Sequence, residues 1–338
     1  MDLNRYLTPL DDEMRAVVAP LAESSPSLLY GMLRYHLGWA DAAFRPAQVY
    51  AGKRLRPCFL LLACEAQGGP WREALPAAAA IELLHNFTLI HDDIEDHDEQ
   101  RRGRPTLWTL WGMPQAINAG DALFALAYRA MLSLDAGPLP PPRILRALRR
   151  YSQTILYLTE GQCLDLAFET QDEVAETPYL QMIERKTAAL LGLACELGGL
   201  LAGAAEARRA ALREFGVALG MAFQMQDDVL GLWGDPARTG KPIGSDLRRH
   251  KKTLPILHGM ARNPALRELL TQPDRELDEA RVARALALLA ETGSRAYTEE
   301  RAAAYHHAAM AAVARSQGQG AAHATLVALA EGLLHRDK

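Results

Sequence analysis

The sequence predicts an all-α fold built as one domain, and three observations carry that prediction. Apolar residues recur at helical spacing along almost the whole chain. No run of β-branched alternation bounded by turn signals marks a sheet. Several helical stretches are apolar on most of their surface, which places them at the centre of a bundle. The chain has 338 residues, 49% of them hydrophobic, enough for a sizeable core. Neither a fixed-period repeat nor a linker divides it, so residues 1–338 read as a single domain.

Taken in order, Asp11 to Leu21 and Ser25 to Leu37 are short amphipathic segments, the second opened by Ser-Ser-Pro as cap and first turn. Arg56 to Glu65 is strongly apolar and stops before the turn at Gln67 to Pro70. Glu73 to Asp96 is a long helix that turns acidic at its end. Met113 to Leu134 follows, closed by the proline-rich loop Gly137 to Pro142, whose residues cannot continue it. Helical patterns then cover Ile144 to Glu169, Thr177 to Leu201, Glu206 to Trp233, Leu254 to Met260, Glu279 to Glu291, Tyr297 to Ala314 and Ala321 to Leu334.

A net charge of −4 gives no general reason to expect nucleic acid as a partner. Cys58, Cys64, Cys163 and Cys195 lack metal-type pairing and suit a reducing compartment. The first residues are acidic where a secretory signal would be basic and then apolar. No apolar run approaches the about 18 residues that mark a membrane span. The expectation is a cytoplasmic protein without a transmembrane segment.

Chemistry concentrates first at Ile81 to Thr106, IELLHNFTLIHDDIEDHDEQRRGRPT. Burying Asp92, Asp93 and Asp96 at the end of an apolar helix without compensation costs several kcal/mol, and divalent cations are the obvious compensators. Asp92 and Asp96 are one turn apart and share a face. Mg²⁺ takes hard oxygen ligands and completes its shell with water and substrate phosphate. A solvated helix end is the competing reading.

A second stretch, Phe223 to Pro255, repeats the pattern: Asp227 and Asp228 close an apolar helix, and Lys241, Arg248, Arg249, Lys251 and Lys252 follow. Two acidic ends, each trailed by cations, suggest a cavity where metal meets an anionic substrate, as helix bundles build their metal sites. A nucleotide-binding loop fails as a rival: Gly234 and Gly240 are one residue too far apart, and Pro242 stands where Ser or Thr is needed. A third basic cluster, Lys53, Arg54 and Arg56, crowds a helix start, where free N–H groups favour anions. The arginine fork there suits phosphate, with a plain basic loop as the competing reading.

Together GKRLRP, HDDIED with RRGRPT, GQCLDL, ERKTAAL, and FQMQDDVLG with GDPARTGK, the DL of Asp246 and Leu247, and KKTLP resemble the trans-type polyprenyl synthetases. These are short-chain isoprenyl diphosphate synthases, and the likeness to geranylgeranyl and farnesyl diphosphate synthases spans Gly52 to Pro255. The resemblance implies an isoprenoid-synthase helical bundle around a central cavity, assembled as a homodimer. It implies head-to-tail condensation of isopentenyl diphosphate with dimethylallyl, geranyl or farnesyl diphosphate. Mg²⁺, roughly three ions per active site, or Mn²⁺, would be held by Asp92, Asp96 and Asp227, with Asp93 and Asp228 in support. Arg101, Lys186 and Lys241 resemble further contacts to the allylic diphosphate, and Thr187 and Gln224 lie beside them. Asp92, Asp93, Asp96, Arg101, Lys186, Asp227 and Lys241 form the implied catalytic set. Lys251 falls on the lysine before the TLP segment, although His250 replaces the usual glycine. Gly52, Lys53, Arg56, His85 and Arg102 match the isopentenyl diphosphate site. The departing diphosphate would take the final proton, which agrees with finding no Ser/His/Asp pattern.

Product length depends on how deep the cavity runs. Thr88 and Leu84 lie one and two turns below Asp92 on its face. Phe87 stands where an aromatic limits the chain in the family, and DDIED has no two-residue insertion. Both favour geranylgeranyl diphosphate, with farnesyl diphosphate second. One departure bears on the metal: Gly231 stands where the second motif usually ends in a third Asp, which puts the affinity there in question. Other residues receive plain readings. His91 and His97 are solvated or stand behind the acids. Gln162 and Asp165 line the site or make a helix–helix hydrogen bond. Asp121 caps a helix, Trp108 and Trp111 pack, and Asp11, Asp12 and Glu13 form an acidic helix start. A terpene cyclase lacks a use for GKRLRP, and a non-catalytic partner subunit would be expected to lose the acidic pairs.

Overall fold

A computed structural model describes residues 3–21, 24–25, 27–50, 52–235, 243–271 and 278–334, with Leu334 as backbone alone. The chain divides into two compact units, residues 1–148 with 197–204, and residues 149–196 with 205–338.

The first unit holds α1 (Asn4–Val18), α2 (Ser27–His36), α3 (Leu55–Ala66), α4 (Leu75–Glu95), α5 (Leu107–Trp111), α6 (Met113–Leu132) and the start of α7 (Pro141–Glu169). Its centre is α4, which packs along α6 and against α3 and α1. Four consecutive alanines, Ala77 to Ala80, are fully buried, and Ala116, Ala119, Ala127 and Ala130 are fully buried on α6. Small side chains let two helix backbones approach closely, and alanine is also the best helix former. Ile81, Leu83 and Leu84 then bury completely, each such aliphatic contributing about 1.5–3 kcal/mol. That burial holds in place a helix end crowded with acids.

The second unit holds the rest of α7, then α8 (Glu176–Ile183), most of α9 (Ala189–Leu201) and α10 (Glu206–Trp233). After these come α11 (Ser245–Arg248), α12 (Leu254–Arg262), α13 (Pro264–Thr271), α14 (Glu279–Glu291), α15 (Ser294–Arg315) and α16 (Gly320–Leu334). Here α10 lies along α15. One core cluster joins Tyr179, Met182, Met221, Met225 and Leu254, and another joins Leu232, Leu247, Ile256, Val282 and Leu289.

The all-α expectation holds, with local corrections. Helix α1 begins at Asn4, not Asp11, and carries Pro9 inside it. Asp11 is therefore no helix start: its carboxylate accepts from Arg15 at 2.6 Å and Trp39 at 3.0 Å and pairs with Arg54 at 2.6 Å. The second segment is helical from Ser27, and Pro26 of its expected cap lies outside the described residues. Thr177 to Leu201 is not one helix, because a π turn over Glu184–Ala188 separates α8 from α9. Gln100–Arg101 pairs antiparallel with Arg104–Pro105 in a small hairpin that alternation could not reveal. Helices α5 and α13 were not anticipated; α13 is capped by Asn263, whose side chain accepts from Ala265 N at 3.0 Å and Leu266 N at 3.1 Å. Asp121 lies in the middle of α6 and caps nothing. Among the described residues no helix is long and apolar enough to cross a membrane.

Candidate active site

In the first unit the basic loop before α3 is bent by two left-handed residues, Gly52 (φ +107°) and Arg54 (φ +47°). A Cβ on Gly52 would lie 2.7 Å from Arg102 Nη2, so glycine is what lets that guanidinium rest against the loop. Arg102 and Gly103 form the tip of the hairpin with φ of +54° and +72°, the positive values a two-residue primed turn requires. For arginine this costs about 1 kcal/mol. Arg104 anchors the hairpin: its guanidinium donates to Tyr35 O and Ala40 O, both at 2.9 Å, and lies 3.8 Å over the Tyr35 ring. Trp108 donates to Asp98 O at 2.9 Å and Trp111 stacks on Phe44 at 5.4 Å. The hairpin is thus held by Arg104 and the aromatics, and presents Arg101 and Arg102.

His85 on α4 stands 3.1 Å from Arg56 Nη1 through its Nε2. A guanidinium only donates, so Nε2 accepts and the ring proton sits on Nδ1. Burial, with Arg56 and Arg102 close by, pushes the His85 pKa well below its ordinary value, and the imidazole is neutral. Glu82, one turn earlier, is 3% exposed and accepts from Asn86 Nδ2 at 3.2 Å. Burial raises its pKa against the pull of Arg54 and Arg56. His36 completes the group; burial beside Arg101, Arg102 and Arg104 lowers it to about 3. Sequence reading missed Glu82, Asn86 and His36. The first two carried a signal, since polar residues one turn apart interrupt a run that is otherwise apolar. Lys53 is exposed on the same loop.

The acidic end closes where Asp96 N donates to Asp92 O at 2.8 Å. Asp92 and Asp96 keep part of their surface, whereas Asp93 is 2% exposed and accepts from Arg101 Nε at 2.6 Å. Burial raises Asp93 to about 6 in spite of that arginine. Below the acids, Leu84 is fully buried and Thr88 donates to His85 O at 2.8 Å. The Phe87 ring lies 5.1 Å from Phe124, which lies 5.3 Å from Tyr128. His91 tilts against Phe87 at 4.6 Å and is 3.8 Å from Asp121. A Cβ at Gly120 would strike the His91 ring at 2.3 Å. Phe87 is therefore one panel of an aromatic wall.

In the second unit Asp227 is partly exposed, and Asp228 is 2% exposed. Asp228 accepts from the Tyr179 hydroxyl, from Gln224 Nε2 at 3.1 Å and from Leu254 N at 3.2 Å. Burial still raises it to about 7. Thr187 donates to Gln224 Oε1 at 2.9 Å, so Thr187, Gln224, Asp228 and Tyr179 form one chain of hydrogen bonds. Tyr179 was not anticipated. Lys186 sits on the π turn, a device that recurs at functional sites. A Cβ on Gly161 would lie 2.3 Å from Lys186 N, so this glycine lets α7 meet the turn. Lys186 Nζ donates to Asp165 at 2.5 Å; Lys251 Nζ donates to Glu169 at 2.7 Å and Asp165 at 3.5 Å. Burial opposes ionisation of Asp165, yet the two lysines hold its pKa below the ordinary value. His250 has φ +54°, which explains why glycine suits that position. Lys241, expected at the diphosphate, lies outside the described residues.

Among the described residues no three acidic, histidine or cysteine side chains converge into a metal cage. Asp92 and Asp96 in the first unit, and Asp227 in the second, are each hard oxygen donors of the kind that suits a cation taking one or two carboxylates together with substrate phosphates.

The polyprenyl synthetase family pattern matches residues 39–289. The chain is 44% identical over 254 residues to the (2E,6E)-farnesyl diphosphate synthase of Mycobacterium tuberculosis, a match covering 75% of this chain and 65% of that protein, less than two thirds of its length. It is 45% identical over 274 residues to the geranylgeranyl diphosphate synthase of the same organism, covering 80% of this chain and 77% of the other. The crystal structure of a polyprenyl synthetase from Streptomyces coelicolor A3(2) superposes with a TM-score of 0.88 at 37% identity, covering 98% of both chains. An all-α isoprenoid-synthase fold with acidic helix ends and basic loops therefore has a family. The chain belongs to the polyprenyl synthetases.

Proposed function

We propose that residues 1–338 form one polyprenyl synthetase domain that acts as a trans-prenyltransferase. It condenses isopentenyl diphosphate head-to-tail with dimethylallyl, geranyl or farnesyl diphosphate and releases geranylgeranyl diphosphate, with farnesyl diphosphate as the alternative product. The observation that carries this reading is the shared design of the acidic helix ends. Each has a partly exposed acid, Asp92 or Asp227, followed by a buried acid held by donors, with cations beside it.

Mg²⁺, or Mn²⁺, roughly three ions held by Asp92, Asp96 and Asp227 with Asp93 and Asp228 in support, would neutralise the diphosphate that leaves as the allylic C–O bond ionises. Arg101, Lys186, Lys241 and Lys251 add positive charge to that diphosphate. For this Lys186 and Lys251 exchange Asp165 and Glu169 for phosphate oxygens. Thr187 and Gln224 orient the same group. Gly52, Lys53, Arg56, His85 and Arg102 bind isopentenyl diphosphate, His85 holding Arg56 in place as a neutral acceptor. The alkene of isopentenyl diphosphate attacks the allylic carbon, and the proton lost from the new bond's neighbour goes to the departed diphosphate. Phe87, with Thr88 and Leu84, limits the growing chain. Leu110, Met113 and Ile117 are exposed at 38%, 41% and 41%, an apolar surface that supports a homodimer. A cytoplasmic location goes with this reading.

Incubating purified protein with Mg²⁺, isopentenyl diphosphate and each allylic starter, with chain-length analysis of the products, tests it. A ladder stopping at geranylgeranyl diphosphate is expected. A stop at the farnesyl length keeps the enzyme and removes Phe87 as the floor. No condensation from any starter would overturn the proposal in favour of a cyclase or a partner-dependent subunit.

A further inference from the structure

The basic loop at Gly52 and the hairpin that carries Arg102 are well separated in sequence, yet one short segment holds both. Helix α2 ends at His36, and the chain turns at Gly38, which has φ +79°. Gly38 N donates to Tyr35 O at 3.0 Å and Trp39 N to Arg34 O at 2.8 Å, which closes the turn. The segment then meets two other stretches. Trp39 O accepts from Ala47 N at 3.0 Å and Gly38 O from Val49 N at 2.9 Å, which fixes the approach to the basic loop. Tyr35 O and Ala40 O accept from the Arg104 guanidinium, each at 2.9 Å, which fixes the hairpin.

The hairpin is held in both directions. Arg104 reaches back to the end of α2, and the Tyr35 hydroxyl donates forward to Pro105 O at 2.8 Å. The guanidinium lies 3.8 Å over the Tyr35 ring, a cation–π contact. Trp111 meets the same ring edge-on at 5.2 Å, and Tyr35 is buried. At the hairpin tip the Arg102 guanidinium rests against Gly52. Arg101, beside it, has a separate anchor in Asp93 at 2.6 Å.

We infer that Tyr35 and Arg104 are a positioning pair for isopentenyl diphosphate. They mount the hairpin on the same segment, Tyr35 to Ala40, that mounts the basic loop, and so set where Arg102 stands relative to Lys53 and Arg56. Neither residue has to touch the substrate. The inference rests on the reading of Arg102, Lys53 and Arg56 as the groups that hold its diphosphate. A two-pronged grip on phosphate depends on geometry, and a misplacement of about 1 Å can cost about 10²-fold. Because Arg101 keeps Asp93, the loss falls on isopentenyl diphosphate and spares the allylic diphosphate.

Steady-state kinetics of the full-length protein with Mg²⁺, isopentenyl diphosphate and geranyl diphosphate would compare the unaltered chain with Tyr35→Phe, Arg104→Met, the double variant and Arg102→Ala. Tyr35→Phe changes no charge and removes one hydrogen bond, so the KM for isopentenyl diphosphate should rise about fivefold. Arg104→Met should raise it about tenfold or more. The double variant should raise it by less than the product of the two, since both act on one joint. In each, kcat and the KM for geranyl diphosphate should stay within about twofold. Melting curves in the same buffer show that each variant is folded. A merely structural role would lower kcat through loss of active protein and leave both KM values in place. If Arg102→Ala raises the KM for isopentenyl diphosphate while Tyr35→Phe and Arg104→Met leave it unchanged, or if these two raise both KM values alike, the pair only supports the fold and the inference fails. If Arg102→Ala also leaves that KM unchanged, the reading of the site falls, and this inference with it.

Discussion

The acidic end of α4 and the acidic end of α10 solve one problem with different materials. In both, the first acid of an adjacent pair keeps some surface and the second turns inward. On α4 the inward Asp93 is held by a charge, Arg101, from a hairpin. On α10 the inward Asp228 is held by neutral donors: a tyrosine hydroxyl, an amide side chain and a backbone N–H. The surrounding cations differ as well. Around α4 they are arginines gathered about buried Glu82, with the neutral rings of His85 and His36 among them. Around α10 they are lysines already paired with Asp165 and Glu169. Under the proposed reading the arginine forks would meet a phosphate where they stand, while the lysines, resting on internal carboxylates, would have to change partners.

The largest expected effect tests the division between outward and inward acids. Asp92→Ala and Asp227→Ala should each lower kcat/KM about 10³-fold, with melting temperatures close to that of the unaltered chain. Asp93→Asn should act mainly on the position of Arg101. If Asp93→Asn removes as much activity as Asp92→Ala, the division fails. The next effect tests charged against neutral anchoring. Arg101→Leu strands a buried carboxylate and should cost about 3 kcal/mol of stability. Tyr179→Phe removes one donor of three from Asp228 and should cost about 1 kcal/mol. Denaturant unfolding of both reads the difference, and equal losses would mean that the kind of anchor does not matter.

A third effect concerns product length, which the proposal places on α4 and α6. Phe87→Ala should lengthen the product only partly, because the Phe124 ring, 5.1 Å away, remains beside the gap. Phe87→Ala with Phe124→Ala should lengthen it further, whereas Tyr179→Phe should leave it unchanged. Chromatography of the products after phosphatase treatment would show this; a double variant no longer than the single one removes Phe124 from the wall.

The legible parts of this chain were those where composition changes abruptly along the sequence. Acids ending an apolar helix, and basic residues after Gly52 or after Pro242, stand out in one dimension. What stayed hidden was set by contacts between segments. The hairpin is two residues per strand, too short for alternation, and its turn depends on Arg102 accepting a positive φ. The π turn at Lys186 is a matter of one extra residue in a helix whose sequence reads as continuous. The first helix was expected from Asp11, yet α1 begins at Asn4 and carries Pro9 inside it. The close approach of Asp246 to Gly231 was also hidden, because a sequence does not show which side chain lies against a helix backbone.

The smallest effect returns to the histidines, where the two units again differ. His36 in the first unit is lowered to about 3 by burial and by Arg101, Arg102 and Arg104. The unfolded chain takes up a proton there below about 6.5, whereas the folded chain resists it. The corresponding stability is thus fully present above pH 6.5 and is lost as pH falls through the folded pKa. His36→Gln removes the titration, so its unfolding free energy should decline less than that of the unaltered chain between pH 6.5 and 4.5. The difference should approach about 1.4 kcal/mol per pH unit. His258 in the second unit is also lowered, by burial and by Arg262, but Glu176 pulls the other way. It stacks 4.0 Å from Tyr297 and lies 3.0 Å from Ser294. His258→Gln should therefore lower stability at every pH and flatten the acid slope less. Urea unfolding at several pH values reads both, and parallel curves for His36→Gln and the unaltered chain would show that the arginine cluster does not hold that ring neutral.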